Sequence, residues 1–241
     1  MKVAILLSGQ AKCVDDHYEN FKTKILDKFP NHDIYIATPR TIGTNLYSTD
    51  GTEHAEESLD KLQKLYQPRI MMAEKYDIEA IKAFLSLEIN KYKVRHEDTN
   101  VVNTLGMFHG WYQLSKLFAP SVYDFAIKFR FDTSIIEGDI EYTKDLSIPL
   151  GGNFRGGIGD VMCYGNPELV QKYLSLWDSL DKCYDTIGHV HPESFLRYHL
   201  NNIHNICPKR TKVKLKVRNK IYNDINADEY IDKEPYFYTV S

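Results

Sequence analysis

"YDFAIKFRFDTSI", residues 123–135, decides how this chain is read. Phe125, Ile127 and Phe129 recur at every second position with Ala126 between them, which is the period of a β-strand. The run stops at one carboxylate, Asp132, with Arg130 two residues before it and the hydroxyls of Thr133 and Ser134 after it. In an open parallel sheet, ligands collect where strands end and loops begin. The charged pair stands at such a point.

Working outward, residues 101–118 read as an apolar and aromatic helix closed by Pro120. At the N-terminus "VAILLSG" (3–9) is a continuous apolar run halted at Gly9, the pattern of a strand buried on both faces and then a tight turn. Residues 15–28 form an amphipathic helix, with Asp15 and Asp16 early and lysines late to match its dipole. A second strand spans 33–38, helices are expected over 53–66 and 77–92, and a strand over 69–74 lies between them. Residues 40–52, rich in Gly, Ser, Thr and Asn, read as a loop near the strand ends. Strand and helix alternate throughout, so the expected fold is α/β, a Rossmann-like central and mostly parallel sheet flanked by helices, forming one domain over 1–241. Further on, 153–165 hold a Gly-rich loop and a short strand, and Pro167 opens a helix. "HPESFLRYHL" (191–200) begins another, with Pro192 and Glu193 in its first turn. In the tail Val213, Leu215 and Val217 alternate with lysines, the pattern of a half-exposed or edge strand.

Composition narrows the function. With 241 residues the chain can bury a sizeable core, and 30 basic against 33 acidic residues lack the basic excess of a duplex nucleic-acid binder. The four cysteines form no CxxC pair, so they read as reduced, mostly buried thiols. The opening apolar run is too short for a signal-peptide core or a membrane span, so a cytoplasmic protein without a transmembrane segment is expected.

Several chemistries compete for Asp132. A haloacid-dehalogenase-type phosphatase needs Asp-x-Asp with the first Asp as nucleophile; here Arg130 stands in that place and cannot form an acyl phosphate. A dinucleotide-binding domain needs G-x-G-x-x-G after the first strand, and "SGQAK" lacks it. Two readings remain. In one, Asp132 holds a divalent cation against a diphosphate while the Arg130 fork meets phosphate oxygens. In the other, the two are an ordinary surface ion pair.

"KVAILLSGQAK" (2–12), the aromatic helix leading into "YDFAIKFRFDTSI", "GDVMCYGNPELVQKY" (159–173) and "HPESFLRYHL" together resemble, in order and spacing, the GT-A glycosyltransferases of capsular and surface-polysaccharide clusters and of large DNA viruses. The likeness covers most of residues 1–205. It departs at Lys12, where the family often has Arg, and at Arg130, where a standard Asp-x-Asp has its first carboxylate.

The resemblance implies transfer of a sugar from a nucleoside-diphosphate sugar to a hydroxyl of a glycan acceptor, with inversion. It places Ser8, Gly9, Gln10 and Lys12 at the nucleotide, Arg130 and Asp132 at the diphosphate, and Arg155 at the sugar or phosphate. Asp132 and His191 would ligate Mn2+ or Mg2+, with Arg130 and Lys12 partly replacing the cation. Asp160 and Glu193 are the two candidates for the base that takes the acceptor proton. A sugar-phosphate nucleotidyltransferase and a non-catalytic nucleotide- or glycan-binding protein are the alternatives.

Overall fold

In the computed structural model, residues 1–10, 14–39, 55–74, 101–150, 157–217 and 220–221 are described. The expected helix at 77–92 and the loop at 40–52 lie outside them.

The first strand, β1 (Val3–Ser8), is buried at all six positions. Its apolar run has that form because sheet neighbours flank it on both sides and helices cover both faces. Parallel to it lie β2 (His32–Pro39) and β4 (Phe125–Arg130), and β3 (Ile70–Glu74) lies parallel to β2. The full order of the seven-stranded sheet is β3-β2-β1-β4-β7-β6-β8, in which β6 is Ser147–Pro149, β7 Cys163–Gly165 and β8 Lys209–Thr211. This is the expected α/β architecture, a mostly parallel sheet flanked by helices.

The parallel half ends at β4. Strand β7 pairs antiparallel with β4, and β6 pairs antiparallel with β7. No crossover helix lies among the described residues between β4 and β7, and a strand that returns without one runs antiparallel to its neighbour. β5 (Thr133–Glu137) leaves the main sheet after the turn at Phe131 and Asp132 and joins β9 (Lys214–Val217) and β10 (Lys220–Ile221) in a second sheet, of order β10-β9-β5. The tail strand is therefore central in a small sheet rather than an edge. Its apolar side, Leu215 and Val217, packs into the core with Ile135 and Phe131, a long-range partnership that alternation alone does not encode. The other edge of β5 is closed by a side chain: Asn20 Nδ2 donates to the Ile135 carbonyl (3.0 Å) and Asn20 Oδ1 accepts from the Ile135 N–H (2.8 Å).

Register sets the two faces. Leu6 pairs with Lys128 and Ser8 with Arg130 across β1 and β4, so these side chains share the face covered by α3 (Val101–Leu117, the third α-helix among the described residues). The opposite face carries Ile5, Leu7, Ile127 and Phe129 against α1 (Val14–Phe21) and α2 (Ala55–Tyr66). After β7 come α4 (Pro167–Leu174), α5 (Leu180–Ile187) and α6 (Pro192–Tyr198). α4 starts where Asn166 caps it, its Oδ1 accepting from the Glu168 N–H at 2.9 Å, with Pro167 in the first turn. α6 is capped by His191, whose Nδ1 accepts from the Ser194 N–H at 3.4 Å.

Candidate functional site

The carboxyl ends of β1, β2 and β4 form the site. β1 ends in Ser8, whose Oγ is buried and has no hydrogen-bond partner among the described residues. A buried hydroxyl without a partner is unfavourable, so a ligand atom there would gain a waiting donor and acceptor. Gly9 follows at φ +117, and a Cβ built on it would meet no atom of the described residues within 4 Å. The backbone thus takes a conformation that side chains disfavour, beside open space. Thr38 at the end of β2 donates to the Gly9 carbonyl at 2.9 Å and fixes the turn. Gln10 is half-buried; Lys12 and Arg155 lie outside the described residues.

Next to Ser8, Arg130 grips Asp132 with both arms: Nε donates to Oδ1 and Nη2 to Oδ2, each at 3.0 Å. The Asp132 side chain is 5% exposed and that of Arg130 24%. The pair is far less exposed than an ordinary surface ion pair, and its bidentate geometry is the strong form of the interaction.

That geometry bears on the expected cation. Both Asp132 oxygens face a guanidinium, which puts positive charge where a divalent ion would bind. Among the described residues, no group of three or more His, Cys, Asp or Glu is arranged to hold a metal ion. His191 hydrogen-bonds the Ser194 hydroxyl through Nδ1 at 2.9 Å, and its Nε2 lies 3.6 Å from Glu193 Oε2. A cation shared with a ligand's phosphates would have to compete with Arg130 for the Asp132 oxygens.

On the same face stands Lys128, fully buried in mid-strand. Its Nζ donates to the main-chain carbonyls of Asp160 and of Val161, the latter at 3.2 Å, and lies 4.5 Å from the centre of the Trp111 ring and 5.6 Å from that of Tyr173. Burial drives its pKa down to about 8, against the opposing charge of Asp160. Above it, Gly157 packs directly on Glu193. A Cβ at 157 would sit 2.6 Å from the Glu193 carbonyl carbon, so only glycine fits, and the Ile158 N–H donates to the Glu193 carbonyl at 3.0 Å. Burial pushes the Glu193 carboxyl up to about 8, and the negative charge of Asp160 pushes in the same direction. Both effects push the Glu193 carboxyl toward its neutral form.

The structure thus gathers Ser8, Gly9, Arg130, Asp132, Asp160, Glu193 and His191 at one end of the sheet, with Asp160, Arg130 and Asp132 all acting electrostatically on Lys128. Sequence reasoning missed Lys128 and Tyr173 here. The signal for Lys128 was available: it is the one charge inside "FAIKF". Also unforeseen is His17 of α1, which hydrogen-bonds Ser134 Oγ through Nδ1 at 2.8 Å; burial lowers its pKa more than Asp132 and Asp16 raise it.

No family model matches the chain, and no curated protein matches it in sequence.

Proposed function

We propose that the chain is a glycosyltransferase of the nucleotide-sugar-dependent, GT-A-like kind, acting in polysaccharide assembly. The observation that carries this reading is the strand-end arrangement of Ser8, Arg130 and Asp132. Among the described residues, an unpartnered buried hydroxyl and a fixed guanidinium flank an open glycine turn, at the end of the sheet that also holds Asp160 and the Glu193 carboxyl, which burial pushes toward neutrality.

In this reading the nucleotide lies against the Ser8-Gly9-Gln10 turn, with its diphosphate toward Arg130. The bond from the sugar's anomeric carbon to the phosphate oxygen breaks, and its electron pair stays on the departing nucleoside diphosphate. A bond from the same carbon to the acceptor oxygen forms on the opposite face, and the acceptor's proton passes to Asp160. Positive charge at Arg130 stabilises the leaving diphosphate more in the transition state than in the ground state. Asp132 holds the guanidinium in place. Glu193, protonated, donates a hydrogen bond to a sugar hydroxyl and leaves the role of base to Asp160.

The test is turnover of a panel of UDP- and GDP-sugars with glycan acceptors, with and without Mn2+. Product is expected with at least one donor, and the Asp132→Ala variant should lose it. Pyrophosphate release from a nucleoside triphosphate and a sugar phosphate would favour a nucleotidyltransferase instead. Equal thermal stabilisation by UDP and UDP-sugars with no product would favour a binding protein.

A further inference from the structure

We propose that Lys128 is a positioning residue: its buried ammonium fixes the main chain at Asp160 and Val161, and so sets the Asp160 carboxylate and the Glu193 carboxyl against each other. The assignment rests on the transferase reading for its effect on turnover, but its geometry is independent of it.

A lysine inside a central strand is unfavourable unless its charge is met. Lys128 meets it mainly with backbone carbonyls and the Trp111 face rather than with a carboxylate in contact. The tie is one of a series along residues 157–161. The Gly157 carbonyl accepts from Arg210 Nη2 at 3.2 Å, the Ile158 N–H reaches Glu193, and the Gly159 carbonyl accepts from Tyr173 Oη at 3.2 Å. The next two carbonyls, of Asp160 and Val161, take Lys128 Nζ. Consecutive residues are thus held from β8, α6, α4 and β4. This segment follows a Gly-rich stretch and has no regular structure of its own, so those ties define its shape. Lys128 binds the Asp160 carbonyl and leaves the carboxylate for a ligand.

The groups facing Lys128 are Asp160 from the segment, Cys163 from β7, Arg130 and Asp132 from the end of its own strand, and Tyr173 from α4. Burial keeps Cys163 a thiol, its pKa pushed up to about 12. Glu193 faces Asp160 and His191. Removing the ammonium frees the Asp160 and Val161 carbonyls, so the carboxylate that Asp160 carries loses its fixed place while the donor-binding turn is left as it is.

The experiment compares wild type with Lys128→Met by main-chain carbonyl-carbon NMR at Asp160 and Val161, alongside donor turnover. In the variant both carbonyl resonances should move, and kcat should fall about 100-fold while the donor KM stays within about threefold. Unmoved resonances or an unchanged kcat overturn the proposal. Should Lys128→Met fail to fold, the wild type decides: NMR couplings across the hydrogen bonds from Lys128 Nζ to the Asp160 and Val161 carbonyl carbons are expected, and their absence overturns the assignment. If no nucleotide sugar is turned over by wild type but the two resonances move in the variant, the transferase reading falls and the tie to the main chain stands. If wild type is active and the variant changes neither quantity, only the positioning role falls.

Discussion

The two ends of the parallel strands are built from similar residues and behave in opposite ways. At the amino end, Asp33 of β2 accepts from Tyr123 Oη (2.7 Å), Lys2 Nζ (3.0 Å) and Arg69 Nη1 (3.2 Å), and Tyr123 shares a further hydrogen bond with Tyr35 (2.6 Å). Burial alone would raise the Asp33 pKa, but the bonds from Tyr123, Lys2 and Arg69 outweigh it and hold the carboxyl below the usual range. At the carboxyl end, Ser8 Oγ is buried without a partner among the described residues, Glu193 is pushed toward neutrality, and Lys128 has lost much of its basicity. A satisfied end holds the sheet together. An end that tolerates unmet polar groups and displaced pKa values is where a binding or catalytic role is to be sought.

The comparison breaks first at Asp132. Asp132→Ala should lower turnover of a nucleotide sugar by 10²–10³, roughly the loss seen when a preorganised charge stabiliser is removed, and full retained turnover would move the site elsewhere. Asp160→Asn should follow, with a loss on the order of 10²–10⁴ expected for a general base, whereas Glu193→Gln, an isostere of a protonated carboxyl, should keep most turnover at pH 7. That contrast sharpens the assignment of base and hydrogen-bond donor; equal losses would merge the two roles. Gly157→Ala introduces a Cβ against Glu193 and should destabilise by about 1–3 kcal/mol, measured by denaturant unfolding.

How far these features were legible in the sequence follows from what each depends on. β1, β2 and β4 stand out because burial on both faces writes itself as an apolar run, and α6 because Pro192 and Glu193 mark its first turn. Three-residue strands such as β6 and β8, "SIP" and "KRT", carry no period to read. Arg130 and Asp132 were visible as the charge that ends a strand, though their mutual grip, which opposes a bound cation, is a matter of side-chain torsions. The meeting of Gly157 with Glu193 depends on a loop crossing a helix start, and no local pattern specifies that. Lys128 was overlooked because alternation was read for its apolar members, and the exception within it was the informative residue.

The smallest effect separates the ends most cleanly. Asp33→Asn removes the charge on which three donors converge, so stability should fall by about 1–3 kcal/mol at pH 7 while turnover stays near wild type. The sign of the pH effect follows from the lowered pKa. Between the folded value and the higher unfolded one, near 3.9, the unfolded chain binds more protons, so this contribution is present in full above the unfolded pKa and disappears as pH falls through the folded one. Because the Asp33 side chain is 19% exposed and its partners Lys2 and Arg69 are more so, solvent screening keeps the gain at the lower end of that range. Unfolding curves of wild type and Asp33→Asn should therefore converge as pH drops below about 4. A variant that instead lost turnover in step with stability would mean that the amino end is coupled to the site, and the division between a holding end and a working end would have to be given up.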